Sequence, residues 1–136
     1  MKASALSFRA AVLFAIAGMG MGIAMAIGQD HSVMPAHAHL NLLGWVSLFL
    51  FGIYYRLHPA ADTSRLALVQ VGIWCIGTVV LTIAVAAIHL GYAAAEPIAA
   101  VGSLVLLADM LLFAALVFRP AILSRPAAAI ALTPAE

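Results

Sequence analysis

Apolar residues run along this chain in four long blocks, 8–27, 36–55, 66–90 and 97–118, separated by short polar stretches. Each block is close to the ~20 residues that a helix needs to cross about 30 Å of hydrocarbon at about 1.5 Å per residue. The third is long enough to tilt. No alternation of ten-residue segments suggests a barrel, and open strands would leave backbone groups unpaired in lipid. The pattern predicts an all-α membrane bundle of four helices, one domain over residues 1–136, with a tail from 119 to 136. Pro35 and Pro97 fall where a first helical turn tolerates them, and Pro120 limits the last helix. The short stretch from Arg56 to Arg65, with Pro59 and Asp62, makes the second and third helices an antiparallel hairpin.

Composition points the same way. Of 136 residues, 66% are hydrophobic and 8% charged, with a mean hydropathy of +1.16. A soluble core of this size could not hide that much apolar surface, so lipid is the surrounding partner. A net charge of +1 with no basic cluster speaks against nucleic acid. The single cysteine, Cys75, excludes an internal disulfide and a cysteine-based metal cluster within one chain.

Charge sets the orientation. Lys2, Arg9, Arg56, Arg65, Arg119 and Arg125 all fall on one side, while the other two loops carry Asp30 and Glu96 and no Lys or Arg. By the positive-inside rule both termini are cytoplasmic in a bacterial inner membrane, and His37 and His39 open toward the outer face. The first block also resembles a signal peptide ending in Ala24-Met25-Ala26. Cleavage would leave three helices and disrupt the charge pattern, so the helix is read as retained. Its Gly18 and Gly22, with Ala26 a turn further, form a small-residue stripe along which another helix can approach.

Candidate chemistry concentrates between Pro35 and Arg56. His37 and His39 are two residues apart, so on a regular helix they point about 200° from each other and suit two pockets rather than one ion. Asn41 lies a turn below His37 and Trp45 a turn below Asn41, a stripe running inward; Gly44 and Gly52 clear space on a neighbouring face. Such clearance and an aromatic wall suit a flat macrocycle. His89, near the outer end of the third helix, reaches the same layer and is a possible axial partner. His31 and His58 read as solvated. Tyr54 and Tyr55 read as packing and belt residues. Asp109 lies deep in the fourth helix, where a carboxylate costs on the order of 2.5–3.5 kcal/mol unless partnered. Thr78, Thr82 and Ser103 are the partners within the sequence's reach. Met19, Met21, Met25 and Met34 lean toward the outer half, and thioethers beside imidazoles suit Cu(I).

The run His-Ala-His-Leu-Asn-Leu-Leu-Gly-Trp-Val, followed by Phe-Gly-Ile-Tyr-Tyr, resembles one helix of the haem–copper oxidase catalytic subunit, closest to the cytochrome cbb-type oxidases. The resemblance covers about twenty residues closely. It implies a high-spin haem position for His37 and a low-spin one for His39. The family's subunit has about twelve helices and takes copper on three further histidines; five histidines in this chain cannot supply that set. One chain is therefore not a complete oxidase, but three copies of four helices would rebuild twelve around a closed cyclic axis. The leading expectation is b-type haem binding, His37, His39 and His89 with Asn41 and Trp45 forming the site, and an electron-transfer or gas-ligand role. The alternatives are a copper-handling membrane protein using the outer histidines and methionines, and a structural or assembly subunit without a cofactor.

Overall fold

The computed structural model describes residues 1–118. Four long helices carry the fold: α1 (Ala3–Gly28), α2 (Met34–Leu57), α4 (Arg65–His89) and α5 (Glu96–Phe118), with a one-turn helix α3 (Pro59–Asp62) between α2 and α4. All four are long and apolar enough to cross a membrane. No strand occurs among the described residues. The protein is an all-α, multi-pass membrane bundle of four helices. The expected tail and Pro120 lie outside the described residues.

α1 begins five residues before the apolar block does, because its start is capped from across the fold. The Asp62 carboxylate accepts the Ser4 amide (2.7 Å) and the Ser4 hydroxyl (2.9 Å). The preceding residue, Lys2, offers no side-chain cap. Asp62 is 3% exposed, and an anion at a helix N-terminus satisfies an orphan amide and complements the dipole. This contact sets Lys2, Arg56 and Arg65 at one end of the bundle. α4 is capped locally, with the Ser64 hydroxyl accepting the Ala67 amide at 3.1 Å.

Small residues bring α1 and α2 together. Ser4, Ser7, Ala11, Gly18 and Met25 of α1 are buried, at the three- and four-residue steps of one helix face. A Cβ on Gly22 would stand 3.1 Å from the His37 ring, and one on Gly18 2.5 Å from the Asn41 amide. Conversely, Gly44 and Gly52 of α2 accept the rings of Phe14 and Phe8. The Ser7 hydroxyl donates to the Leu48 carbonyl at 2.9 Å. The glycine stripe expected to receive another helix thus receives α2 of its own chain. Ala26 stands off it, exposed, and Met25 takes the buried position.

α4 is the central element. Ala67, Gln70, Val71, Trp74, Gly77, Thr78, Leu81 and Ala84 are all buried, a broader burial than a one-sided helix would show. α5 packs on it through Leu106 against Gly77 and Leu81 against Gly102. Phe113 of α5 reaches α2, with ring centroids 4.3 Å from Phe51 and 5.3 Å from Tyr54. α1 and α5 form the outer flanks, and their free faces (Val12, Leu13 and Ile16; Val101, Leu104 and Leu111) are apolar and exposed. Lipid contact follows from that.

Two outcomes are expected. Gly44→Ala places a methyl 2.6–2.8 Å from the Phe14 Cγ and Cβ, close to the α1 backbone, and overpacking of this kind costs about 1–3 kcal/mol. Denaturant titration in detergent should show that loss, partly regained in the Gly44→Ala/Phe14→Ala double variant. Asp62→Ala should cost about 1 kcal/mol, the usual scale of a lost helix cap, measured in the same titration.

Candidate functional site at the histidine end of α2

The segment that follows the two histidines is not α-helical. Leu40–Ser47 is a π-helix set between the α-helical pieces Met34–His39 and Leu48–Leu57. A ladder of i→i+5 bonds widens the turn and shifts carbonyls off their usual partners. Hydrocarbon holds no water for a carbonyl so shifted, and protein donors are the alternative. Three side chains bond carbonyls in or beside this segment. The Asn41 amide donates to the His37 carbonyl (2.9 Å), the Ser47 hydroxyl to the Leu42 carbonyl (2.8 Å), and the Trp74 indole to the Leu43 carbonyl (2.9 Å). The last bond pins the π-segment to α4.

The wider turn redirects the side chains. His37 and Asn41 both face α1, where Gly22 and Gly18 make room for them. Trp45 does not continue that line: four residues no longer complete a turn, and the indole lies 45% exposed on the outward side. The expected inward stripe is therefore interrupted after Asn41. The clearance expected at Gly44 and Gly52 is filled by the two phenyl rings of α1, so the α1–α2 seam has no space for a macrocycle.

The histidines differ in what they have left to offer. His39 is half-buried, and its Nδ1 lies 2.7 Å from the Pro35 carbonyl. His89 is exposed, with Nδ1 2.9 Å from the Val85 carbonyl. A carbonyl accepts, so Nδ1 carries the proton in both and Nε2 presents a lone pair. That is the arrangement in which ligating histidines are commonly held. His58, at the opposite end, makes the same bond to the Tyr54 carbonyl at 2.7 Å and stacks on the Tyr54 ring at 4.2 Å. His37 instead is wedged against Gly22, its two ring nitrogens each 3.4 Å from the Asn41 amide. His31 lies exposed in the loop before α2. There the Asp30 carboxyl is held below its ordinary range by the Ser32 hydroxyl and then by the Ser32 amide, 2.9 Å away.

The Met34–His39 piece of α2 packs against α4, whose last residue is His89, so His39 and His89 share one end of the bundle. No described hydrogen bond joins them. Among the described residues, no three His, Cys, Asp or Glu gather as a metal-binding group. Of the methionines, Met19 and Met34 are exposed and Met25 is buried. No protein-family model matches the chain, nor does any curated protein or solved structure.

A second polar cluster lies deeper. Asp109 is 3% exposed. Its Oδ2 accepts the Gln70 amide at 3.0 Å, and Gln70 Oε1 accepts the Tyr55 hydroxyl at 2.8 Å. The partners expected for Asp109 are not used: Ser103 donates to the Ala99 carbonyl, and the Thr78 and Thr82 hydroxyls are buried without partners. Gln70 carried a weaker signal: it interrupts an apolar run as Asp109 does, but as a neutral amide it costs less to desolvate. Tyr55 had none, since a tyrosine near a helix end looks like a belt residue.

The Trp74–Leu43 bond yields a direct test. Trp74→Phe keeps an aromatic ring beside Phe51, whose centroid is 5.0 Å from the indole, but removes the donor to a half-buried carbonyl. The expected loss is about 1–3 kcal/mol, read by denaturant titration, with a frequency shift in the amide band of a carbonyl-labelled Leu43.

Proposed function

We propose that this chain is a b-type haem-binding membrane protein, related to the haem–copper oxidase catalytic subunit, with His39 as its principal axial ligand. One observation carries the reading: the Pro35 carbonyl holds Nδ1 of His39 at 2.7 Å, which leaves Nε2 free as an electron-pair donor beside hydrocarbon. His89, held in the same manner by the Val85 carbonyl, is the second ligand at that end. His37 is set differently, its ring filling the space over Gly22.

Haem fits this surface in its donor set and not in a single-chain cavity. The macrocycle wall therefore comes from self-association, for which a trimer of four-helix chains is the proposed form. In this reading the termini lie in the cytoplasm of a bacterial inner membrane and the histidine end faces outward. The bound iron would supply one-electron or gas-ligand chemistry. The chain's own share is physical. Proline at the first turn fixes the carbonyl that orients His39, the glycine seam keeps α2 from rotating, and the apolar flanks lower the local dielectric.

Absorption spectroscopy of the purified protein, with a metal assay on the same sample, tests this. The expected result is a Soret band that shifts on reduction. His39→Ala should lower haem content by about tenfold or more, at least the scale on which losing a ligand's supporting partner acts, and His89→Ala should alter the spectrum. Copper without a Soret band would favour a copper-handling protein instead, and neither would leave a structural or assembly subunit. Native mass spectrometry in detergent should show three chains; monomer alone would remove the shared pocket.

A further inference from the structure

We propose that Asp109 is a proton-binding site inside the bundle, a carboxyl between α4 and α5 that takes up and releases a proton at Oδ1 while Gln70, itself held by Tyr55, anchors Oδ2. This rests on the deeper cluster alone and does not depend on haem at the other end.

The geometry leaves the carboxyl half-provided for. Oδ2 receives one neutral donor, the Gln70 amide at 3.0 Å. Oδ1 is buried and receives none. The titratable groups around it are Tyr55 on α2, reached through Gln70, and Cys75 on α4. Neither is a cation, and no basic side chain among the described residues bonds to the carboxyl. Leu106 meets Gly77 and Leu81 meets Gly102, so Asp109 stands near the level of Trp74, ~14 Å along α4 from Arg65 at about 1.5 Å per residue. A fixed negative charge at that depth, with one hydrogen bond, is costly. A proton on Oδ1 removes the charge.

The surroundings suit an exchanging group better than an inert one. If the carboxyl served only as glue between helices, its second oxygen would be expected to have a partner, because half-satisfied networks are worse than apolar packing. Instead two further oxygens, on Thr78 and Thr82, also lack partners. Gln70, Trp74, Thr78 and Thr82 are successive i,i+4 positions of α4, one face carrying polar oxygens past the carboxyl. On the other side, the Tyr55 hydroxyl and the Gln70 amide form a continuous donor–acceptor chain into Oδ2. Tyr55 is two residues from the end of α2, beside the basic end of the bundle. Uptake forms and release breaks only the Oδ1–H bond, and the Gln70 amide keeps both its protons.

Infrared difference spectroscopy of the full chain in lipid, recorded between two pH values, reads this directly. The native protein should gain the carbonyl stretch of a protonated carboxyl as the carboxylate bands are lost. Asp109→Asn, which keeps the shape and a partner for Gln70, should remove that signal. Superimposable difference spectra for the native and Asp109→Asn proteins would overturn the proposal. So would an Asp109 band that never responds to pH while the protein stays folded. Should Asp109→Asn not fold, Gln70→Leu serves: removing the only donor to Oδ2 should shift the band, and an unmoved band overturns the proposal.

Discussion

Hydrocarbon supplies no hydrogen bonds, and this single constraint organises the structure. Regular helices meet it internally, so four of them form almost automatically from the apolar blocks. The one departure from regularity, the π-segment Leu40–Ser47, then has to be provided for by hand. Asn41, Ser47 and Trp74 each donate a side-chain hydrogen bond to a carbonyl in or beside it. Two of the three come from α2 itself. The third comes from α4, so the local irregularity is also a tertiary bond. A π-segment immediately after His37 and His39 fits the tendency of such segments to occur where side chains need unusual aim.

Packing without a hydrophobic driving force explains the rest of the seam. Lipid competes equally for leucine, so contact is favoured where small residues let surfaces interlock. α1 and α2 interlock in both directions: glycines on α1 receive polar side chains of α2, and glycines on α2 receive phenyl rings of α1. Asn41 and His37 are thereby placed inside the protein rather than against lipid. Their polarity is tolerated because the opposite helix has no side chain there.

The four helices were legible because hydropathy over about twenty residues is a strong signal. Their ends were less so. The start of α1 at Ala3 depends on Asp62, a contact across 58 positions, and no local pattern announces it. The histidine pair was legible by residue type, and its two flanks follow from helical geometry, since Met34–His39 remains α-helical. The direction of Trp45 was not, because the sequence carries no mark of where a ladder changes from four to five residues. Glycines were legible as small but not as occupied: Gly44 and Gly52 read as clearance, and Phe14 and Phe8 fill them. Asp109 stood out by charge alone, whereas its true partner, Gln70, is neutral and easily passed over.

The Asp62–Ser4 cap has a consequence for how the chain is made. α1 is synthesised before α2 and α3, yet the group that completes its first turn is made only after α2 has been made and the chain has turned back. Until then the first turn of α1 is uncapped and its glycine face unfilled. Its neighbours α2 and α3 arrive together and supply both. α1 is held provisionally by lipid and fixed by the hairpin that follows, so an earlier helix waits on a later one for its final form.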